Sequence, residues 1–177
     1  MIMPIRTLGD PVLRTPGMPV TEFDRKLVTL CEDMVETMYD APGVGLAAPQ
    51  VGLSLSLFVF DDGETGPLVM ANPELFDAAG ETVVDEGCLS IPGPYHATPR
   101  AAAITCRGQD VTGKIYEMTG EGLLARIFQH ETDHLSGRLY IDHLDDEGRR
   151  EVMVELRRLE LAMDETKKRR LLRRDDA

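Results

Sequence analysis

His130, Glu131 and His134 stand in the order HExxH within Gln129-His-Glu-Thr-Asp-His134. On a helix, residues four apart share one face, with Cβ atoms about 5–6 Å apart. Two imidazoles there can point at one metal ion, with Glu131 beside them and within reach of a water. A catalytic site wants three protein ligands and one open position, so a third donor is needed. Tyr140, His143 and Cys88 are the candidates. Tyr140 falls where HExxHxxGxxH peptidases carry their third histidine, and His143 lies in a short link just downstream. Cys88, in Glu86-Gly87-Cys88-Leu89-Ser90, is the strongest of the three, because a thiolate suits a borderline-soft divalent ion. Gly87 before it permits close backbone approach. The set Cys88, His130 and His134, with Glu131 as acid/base, makes a metallohydrolase centre. The bland alternatives are a chance HExxH on an amphipathic helix and a Cys88 that is a small buried hydrophobe. Cys31 and Cys106, at apolar helix and strand positions, take that second reading.

Gly43-Val44-Gly45-Leu46-Ala47-Ala48 fits G-x-G-x-x-A by letter. A dinucleotide loop needs a strand before it and a helix after it. Here a helix precedes it and Pro49 follows, which excludes that use. What remains is a glycine-permitted strand or bend, or a loop whose backbone faces a substrate. Gln50 at its end carries an amide that can donate to a developing oxyanion.

The elements that must hold these residues are legible in part. Leu27, Leu30, Cys31, Met34, Val35 and Met38 follow helical spacing, with Thr21 or Asp24 as cap and Pro42-Gly43 beyond the end. Residues 55–60 and 68–72 read as strands, the second ended by Pro73. Residues 101–106 and 114–118 read as a hairpin around 110–113. A second helix spans about 120–136, capped by Thr119, with Gly137 as C′ residue. Val152, Leu156, Leu159 and Met163 mark a third, long helix. The expectation is an α+β fold, mostly antiparallel sheets packed around a central HExxH helix, with N-terminal and C-terminal helices.

The 177 residues fit one domain, which buries roughly two thirds of its unfolded surface without disulfide staples. Residues 1–166 are expected to be a single catalytic domain and 167–177 a charged tail. With 42% hydrophobic and 28% charged residues the composition is ordinary for a soluble protein. A net charge of −12 argues against nucleic-acid binding by the body, and no DNA partner is expected. Three cysteines without CxxC spacing suggest a reducing compartment. No stretch reads as a leader or reaches the roughly 18 apolar residues of a membrane span. A cytoplasmic protein with no membrane partner is expected.

Three segments, Gly43-Val-Gly-Leu-Ala-Ala-Pro-Gln50, Glu86-Gly-Cys-Leu-Ser90 and Gln129-His-Glu-Thr-Asp-His134, stand in this order and at these separations. Together they resemble the three motifs of the peptide deformylases. The resemblance runs from Ile5-Arg-Thr-Leu-Gly-Asp-Pro11 to Leu139-Tyr-Ile-Asp142, and the helical ending looks like the class with a C-terminal helix. It implies a metal held by Cys88, His130 and His134, iron(II) by expectation, with zinc or nickel as replacements. It implies that Gln50 and the N–H of Leu89 stabilise the oxyanion, and that Glu131 moves the proton from water to the leaving amine. The substrate would be the N-formylmethionyl end of a new polypeptide. It would lie extended beside Val44-Gly45 and Glu86-Gly87-Cys88-Leu89, as an added strand. Val44, Leu123 and Ile127 are candidates for the methionine pocket, or are simply core. Tyr95 stands where many relatives have arginine. Arg126 stands where an apolar residue is usual, and its stem can still line the pocket.

The run Lys167-Lys-Arg-Arg-Leu-Leu-Arg-Arg174 is strongly basic in an acidic chain. Two readings fit it. One is a solvated helix end. The other is a docking segment for ribosomal RNA near the polypeptide exit, which makes the ribosome a candidate partner.

Overall fold

The computed structural model describes residues 1–175. The first helix, α1, is Arg25–Asp40. Asp24 caps it, accepting hydrogen bonds from the N–H groups of Lys26 and Leu27. Seven strands follow: β1 Gly45–Ala47, β2 Leu57–Phe60, β3 Leu68–Ala79, β4 Thr82–Cys88, β5 Ile91–Arg100, β6 Ala103–Gln109 and β7 Ile115–Glu121. Then come α2, Gly122–Leu135, and α3, Asp146–Asp175, with the single 3₁₀ turn Tyr140–His143 between them. Five strands form one sheet in the order β1-β2-β3-β6-β7, and β4 with β5 forms a second. Every ladder between them is antiparallel. The fold is α+β, as expected. Among the described residues no helix is long and apolar enough to cross a membrane.

The large sheet is covered on both faces. All four residues of β2 are fully buried, and because side chains alternate along a strand they serve two cores. Leu57 and Val59 pack with Leu27, Met34 and Met38 of α1. Phe58 and Phe60 pack with Ala125, Ile127 and Phe128 of α2. Phe60 and Phe128 meet edge to face, 5.4 Å between ring centroids. A third core joins Cys88 and Ile91 of the small sheet to Tyr140, Ile141, Val152 and Leu156. Helix α2, which carries HExxH, thus lies against the large sheet, with the β4–β5 sheet meeting its last turns.

Several boundaries differ from expectation. Strand β3 does not stop at Pro73 but runs to Ala79. The register on β6 shifts between Ala71 and Glu74, so the proline sits in a bulge where its missing N–H costs no ladder bond. Helix α2 begins two residues later than read, with Glu121 at the cap position. Thr119 belongs to β7 instead, its hydroxyl bonded to that of Thr105 at 2.9 Å. The hairpin strands start later than expected, at Ala103 and Ile115, and run on to Gln109 and Glu121, and Asp110 closes the turn by accepting from the N–H groups of Thr112 and Lys114. The β4–β5 sheet was not read at all, since Pro92, Pro94 and Pro99 mask its period. Gly137, at φ +71°, does follow the end of α2. The side chains of the basic run 167–174 lie outside the described residues.

Phe128 joins α2 to the sheet from a fully buried position. Phe128→Ala should cost about 3–5 kcal/mol, which for a chain of this size lowers Tm by roughly 6–20 °C. Thermal unfolding followed by circular dichroism measures it; a shift under about 3 °C would mean that the aromatic contact does not anchor α2.

Candidate active site

Helix periodicity places His130 and His134 on one face of α2, their ring centroids 5.0 Å apart. The small sheet brings Cys88 to them from the end of β4. One donor atom from each of Cys88, His130 and His134 lies within 4.8 Å of the others, and Cys88 Sγ is 3.2 Å from His134 Nε2. Among the described residues this is the metal-capable cluster of three. Tyr140 is not part of it: the ring is buried and its hydroxyl donates to Pro94 O at 3.4 Å. Nor is His143, whose Nε2 lies 2.6 Å from Asp133 Oδ2. Cys31 and Cys106 lie in the two cores on either side of the large sheet.

Burial opposes ionisation of the Cys88 thiol, but His134 and His130 outweigh it and hold the pKa well below the ordinary thiol range. Burial likewise opposes charge on His130, yet Cys88 and Glu86 keep its pKa well above the usual imidazole value. Cys88 and His130 thus each shift the other toward its charged form. Glu131 is 4% exposed. Burial pushes its carboxyl up to about 7 against the pull of His130 and His134. Its Oε2 has no hydrogen-bond partner, and neither has His134 Nδ1. A carboxyl titrating near neutrality with an unused oxygen is suited to move protons. Gly45 makes room for it, because a Cβ there would collide with the Glu131 carboxylate.

Glu86 lines a cleft beside the cluster, and its side chain is bonded within the site. Its side chain is 3% exposed. Oε1 lies 2.5 Å from His130 Nδ1 and 2.6 Å from Arg100 Nη2, and Oε2 lies 2.9 Å from Arg100 Nε. Arg100 Nη1 also donates to Asp133 Oδ2 at 2.7 Å. A chain of charge-assisted bonds thus runs from His130 through Glu86 and Arg100 to Asp133 and His143, fixing the imidazole's orientation. Arg100 and Asp133 had no place in the sequence reading. Arg100 ends a proline-rich strand without a motif around it. The one available signal was the pair of acids next to the site, Glu86 and Asp133, which need a cation if buried.

A cleft of about 420 Å³ opens beside the cluster, lined by Val44, Gly45, Gln50, Glu86, Gly87, Cys88, Leu89, Ile127, His130 and Glu131 among others. Gln50 is buried, its Oε1 accepting from Ala47 N–H at 2.8 Å. That leaves Nε2 on the Cys88 side, 3.7 Å from Sγ and 3.3 Å from Ser90 Oγ. Leu123 is the exception among the expected substrate-contact residues: it is 39% exposed at the start of α2 and does not line the cleft. Arg126, one turn before His130, lines it instead, with Nη1 donating to Asp85 O at 3.1 Å. Tyr95 forms part of the opposite wall.

A family model described as polypeptide deformylase matches residues 2–150. A peptide deformylase of Acidothermus cellulolyticus is 51% identical over 162 residues, 91% of this chain and 89% of that relative. One from Acidobacterium capsulatum is 43% identical over 92% of this chain and 98% of its own. Among solved structures, a peptide deformylase from Legionella pneumophila superimposes with a TM-score of 0.88 at 44% identity, covering 93% of this chain and 98% of that one. That of Thermotoga maritima gives 0.79 at 46% identity over 82% and 99%.

Arg100→Met would leave Glu86 and Asp133 without their shared cation. Losing one partner of a buried pair costs about 3–5 kcal/mol. Burial raises the Glu86 pKa, but Arg100 and His130 outweigh it and hold it at about 2. A depressed carboxyl contributes stability above its unfolded value, lost as pH falls through the folded one. The deficit of Arg100→Met should therefore be largest near pH 7 and shrink between pH 4.5 and 2. Urea unfolding at several pH values tests this; a deficit constant with pH would contradict the pairing.

Proposed function

The chain belongs to the polypeptide deformylase family, and on that premise we propose that Cys88, His130 and His134 hold one divalent metal ion with Glu131 as the acid/base beside it. Like its relatives the protein is a metal-dependent hydrolase that removes the N-formyl group from the N-terminal methionine of newly made polypeptides. The observation that carries the assignment of roles is the meeting of one thiolate and two imidazoles beside a buried carboxyl with an unused oxygen. The donor set fits a metal. Sγ of Cys88 and one nitrogen from each imidazole converge within 4.8 Å of one another, and Glu86 on Nδ1 orients the His130 ring for an ion there. Thiolate and imidazole suit iron(II), zinc and nickel alike. Iron(II) is the ion proposed, with the other two able to replace it.

When bound, the ion supplies Lewis acidity, which makes water acidic enough to deprotonate near pH 7 and polarises a carbonyl. Glu131 takes the proton from the attacking water and returns it to the leaving amine nitrogen, its buried Oε2 being free of other partners. Gln50 Nε2 and the N–H of Leu89 donate to the carbonyl oxygen as its carbon becomes tetrahedral. Val44-Gly45 leads into β1, the last strand of the large sheet, and 86–89 closes β4 across the cleft. An extended peptide lying between them would pair as an added strand. Ile127, Val44 and the stem of Arg126 offer the apolar seat for methionine. The formyl carbon carries only hydrogen, so a tight site admits it and rejects acetyl. Work on nascent chains fits a cytoplasmic protein. The basic run 167–174 would bind ribosomal RNA as a continuation of α3, holding the enzyme near its substrate.

Formate release from formyl-Met-Ala-Ser by the iron(II) form tests the reading directly. Glu131→Gln should fold and retain metal, with turnover lower by about 100-fold or more, since the shape stays and the proton acceptor goes. Cys88→Ala should lose both metal and activity, because two ligands do not fix an open tetrahedral site. A fully metallated, active Cys88→Ala would refute the assignment.

Removing 167–177 should weaken co-sedimentation with ribosomes at low salt while leaving turnover of the short peptide nearly unchanged. If the full chain does not bind ribosomes at low salt, or the truncated one binds as well, the run is only a helix end.

A further inference from the structure

A second groove, of about 760 Å³, adjoins the active-site cleft. Pro92 and Gly93 line both cavities and form their common wall. On the groove's other sides stand Leu8 and the α3 residues Leu156, Leu159 and Met163. Leu8 is held in place by its N–H bond to Ser90 O, 2.8 Å. Gly93, at φ +110°, has Leu159 Cδ1 where a Cβ would lie, so α3 closes on the wall as near as a side chain there would forbid. The lining is mainly apolar, and it is open to solvent: Met163 is 61% exposed.

A cleft of 420 Å³ takes a ligand of drug size, a formylated tripeptide, and not the polypeptide behind it. The rest of the chain must leave over the rim, and across the rim at Pro92–Gly93 lies apolar surface. The groove is thus continuous with the cleft through a shared wall, Pro92 and Gly93, and lies within reach of a chain that leaves the cleft there. We propose that this groove binds the substrate itself, taking apolar side chains of the nascent polypeptide downstream of the residues held in the cleft. The proposal rests on the deformylase reading above and extends it: the enzyme would favour formylated chains with an apolar segment several residues after the methionine.

The test uses the metal-loaded full chain and three peptides. One is formyl-Met-Ala-Ser. The other two are formylated twelve-residue peptides, identical except that residues 6 to 9 include two leucines in one and serines in the other. At about 3.3 Å per residue those positions lie roughly 17–27 Å along the chain from the formylated end. The leucine peptide should show about tenfold higher kcat/KM than the serine peptide, mainly through KM. Tenfold is about 1.4 kcal/mol, the scale of a partly buried leucine side chain. The double variant Ala162→Glu, Met163→Glu changes two exposed groove residues of α3. It should bring the ratio near one and leave the tripeptide unaffected. Equal rates on both long peptides in the wild type, or a leucine preference kept in the variant, would overturn the proposal while the deformylase reading stands. No turnover of the tripeptide would defeat that reading and the groove with it. A dimer that the double variant dissociates in sedimentation would give the groove to a second copy instead, and overturns the proposal too.

Discussion

The guanidinium of Arg100 is the joint on which the site depends. It is 6% exposed and bonded to Glu86 of β4 and Asp133 of α2. An unpaired charge at such a depth is prohibitively costly, so the small sheet and the HExxH helix must dock in the one arrangement that satisfies all three groups. That arrangement also sets the metal-capable cluster. Glu86 passes its remaining interaction to His130 Nδ1, and two residues on, Cys88 meets His134. The charges do not make the protein more stable than an apolar contact would. They make the docking specific.

The other side of α2 is held by a different force. Ala125, Ile127 and Phe128 are buried against Phe58, Phe60 and Met70 of the large sheet, and α1 covers the opposite face. A helix pinned by apolar packing on one side and by an ion network on the other has little freedom to shift. His130, Glu131 and His134 are carried on that rigid segment, and Gly45 of β1 allows the sheet edge to come up against the Glu131 carboxylate. Burial of that carboxylate is what lifts its pKa to about 7. The packing that positions this carboxyl therefore also tunes it.

Helix α3 has a supporting role that reaches the site indirectly. Val152 and Leu156 complete the third core with Cys88 and Ile91, and Leu159 fills the space beside Gly93. The bulged stretch of β5 between Ile91 and His96, opposite Gly87, is thus backed by a helix. Its front faces the cleft. Anything that moves α3 would move one wall of the cleft.

By itself the sequence determined whatever depends on neighbours along the chain. The i, i+4 geometry of a helix puts His130 and His134 together and Glu131 beside them, wherever that helix is placed. A cap at Thr21 or Asp24, of which the fold uses Asp24, the apolar stripe of α1 and the Asp110 turn are equally local. Tertiary structure alone decided what depends on partners far apart in sequence. Spacing left Tyr140, His143 and Cys88 open as third donor. The docking of β4 on α2 brought Cys88 in, while burial against Pro94 took Tyr140 and the Asp133 carboxylate took His143. Glu86 read as a neighbour of the peptide, and only the fold adds its bond to His130; Leu123 read as pocket or core and is 39% exposed outside the cleft. Pro73 read as a strand end because the bulge that tolerates it is set by β6. No local pattern marks Arg100, because its position follows from the desolvation of two carboxylates on other elements, an energy that exists only once the chain is folded.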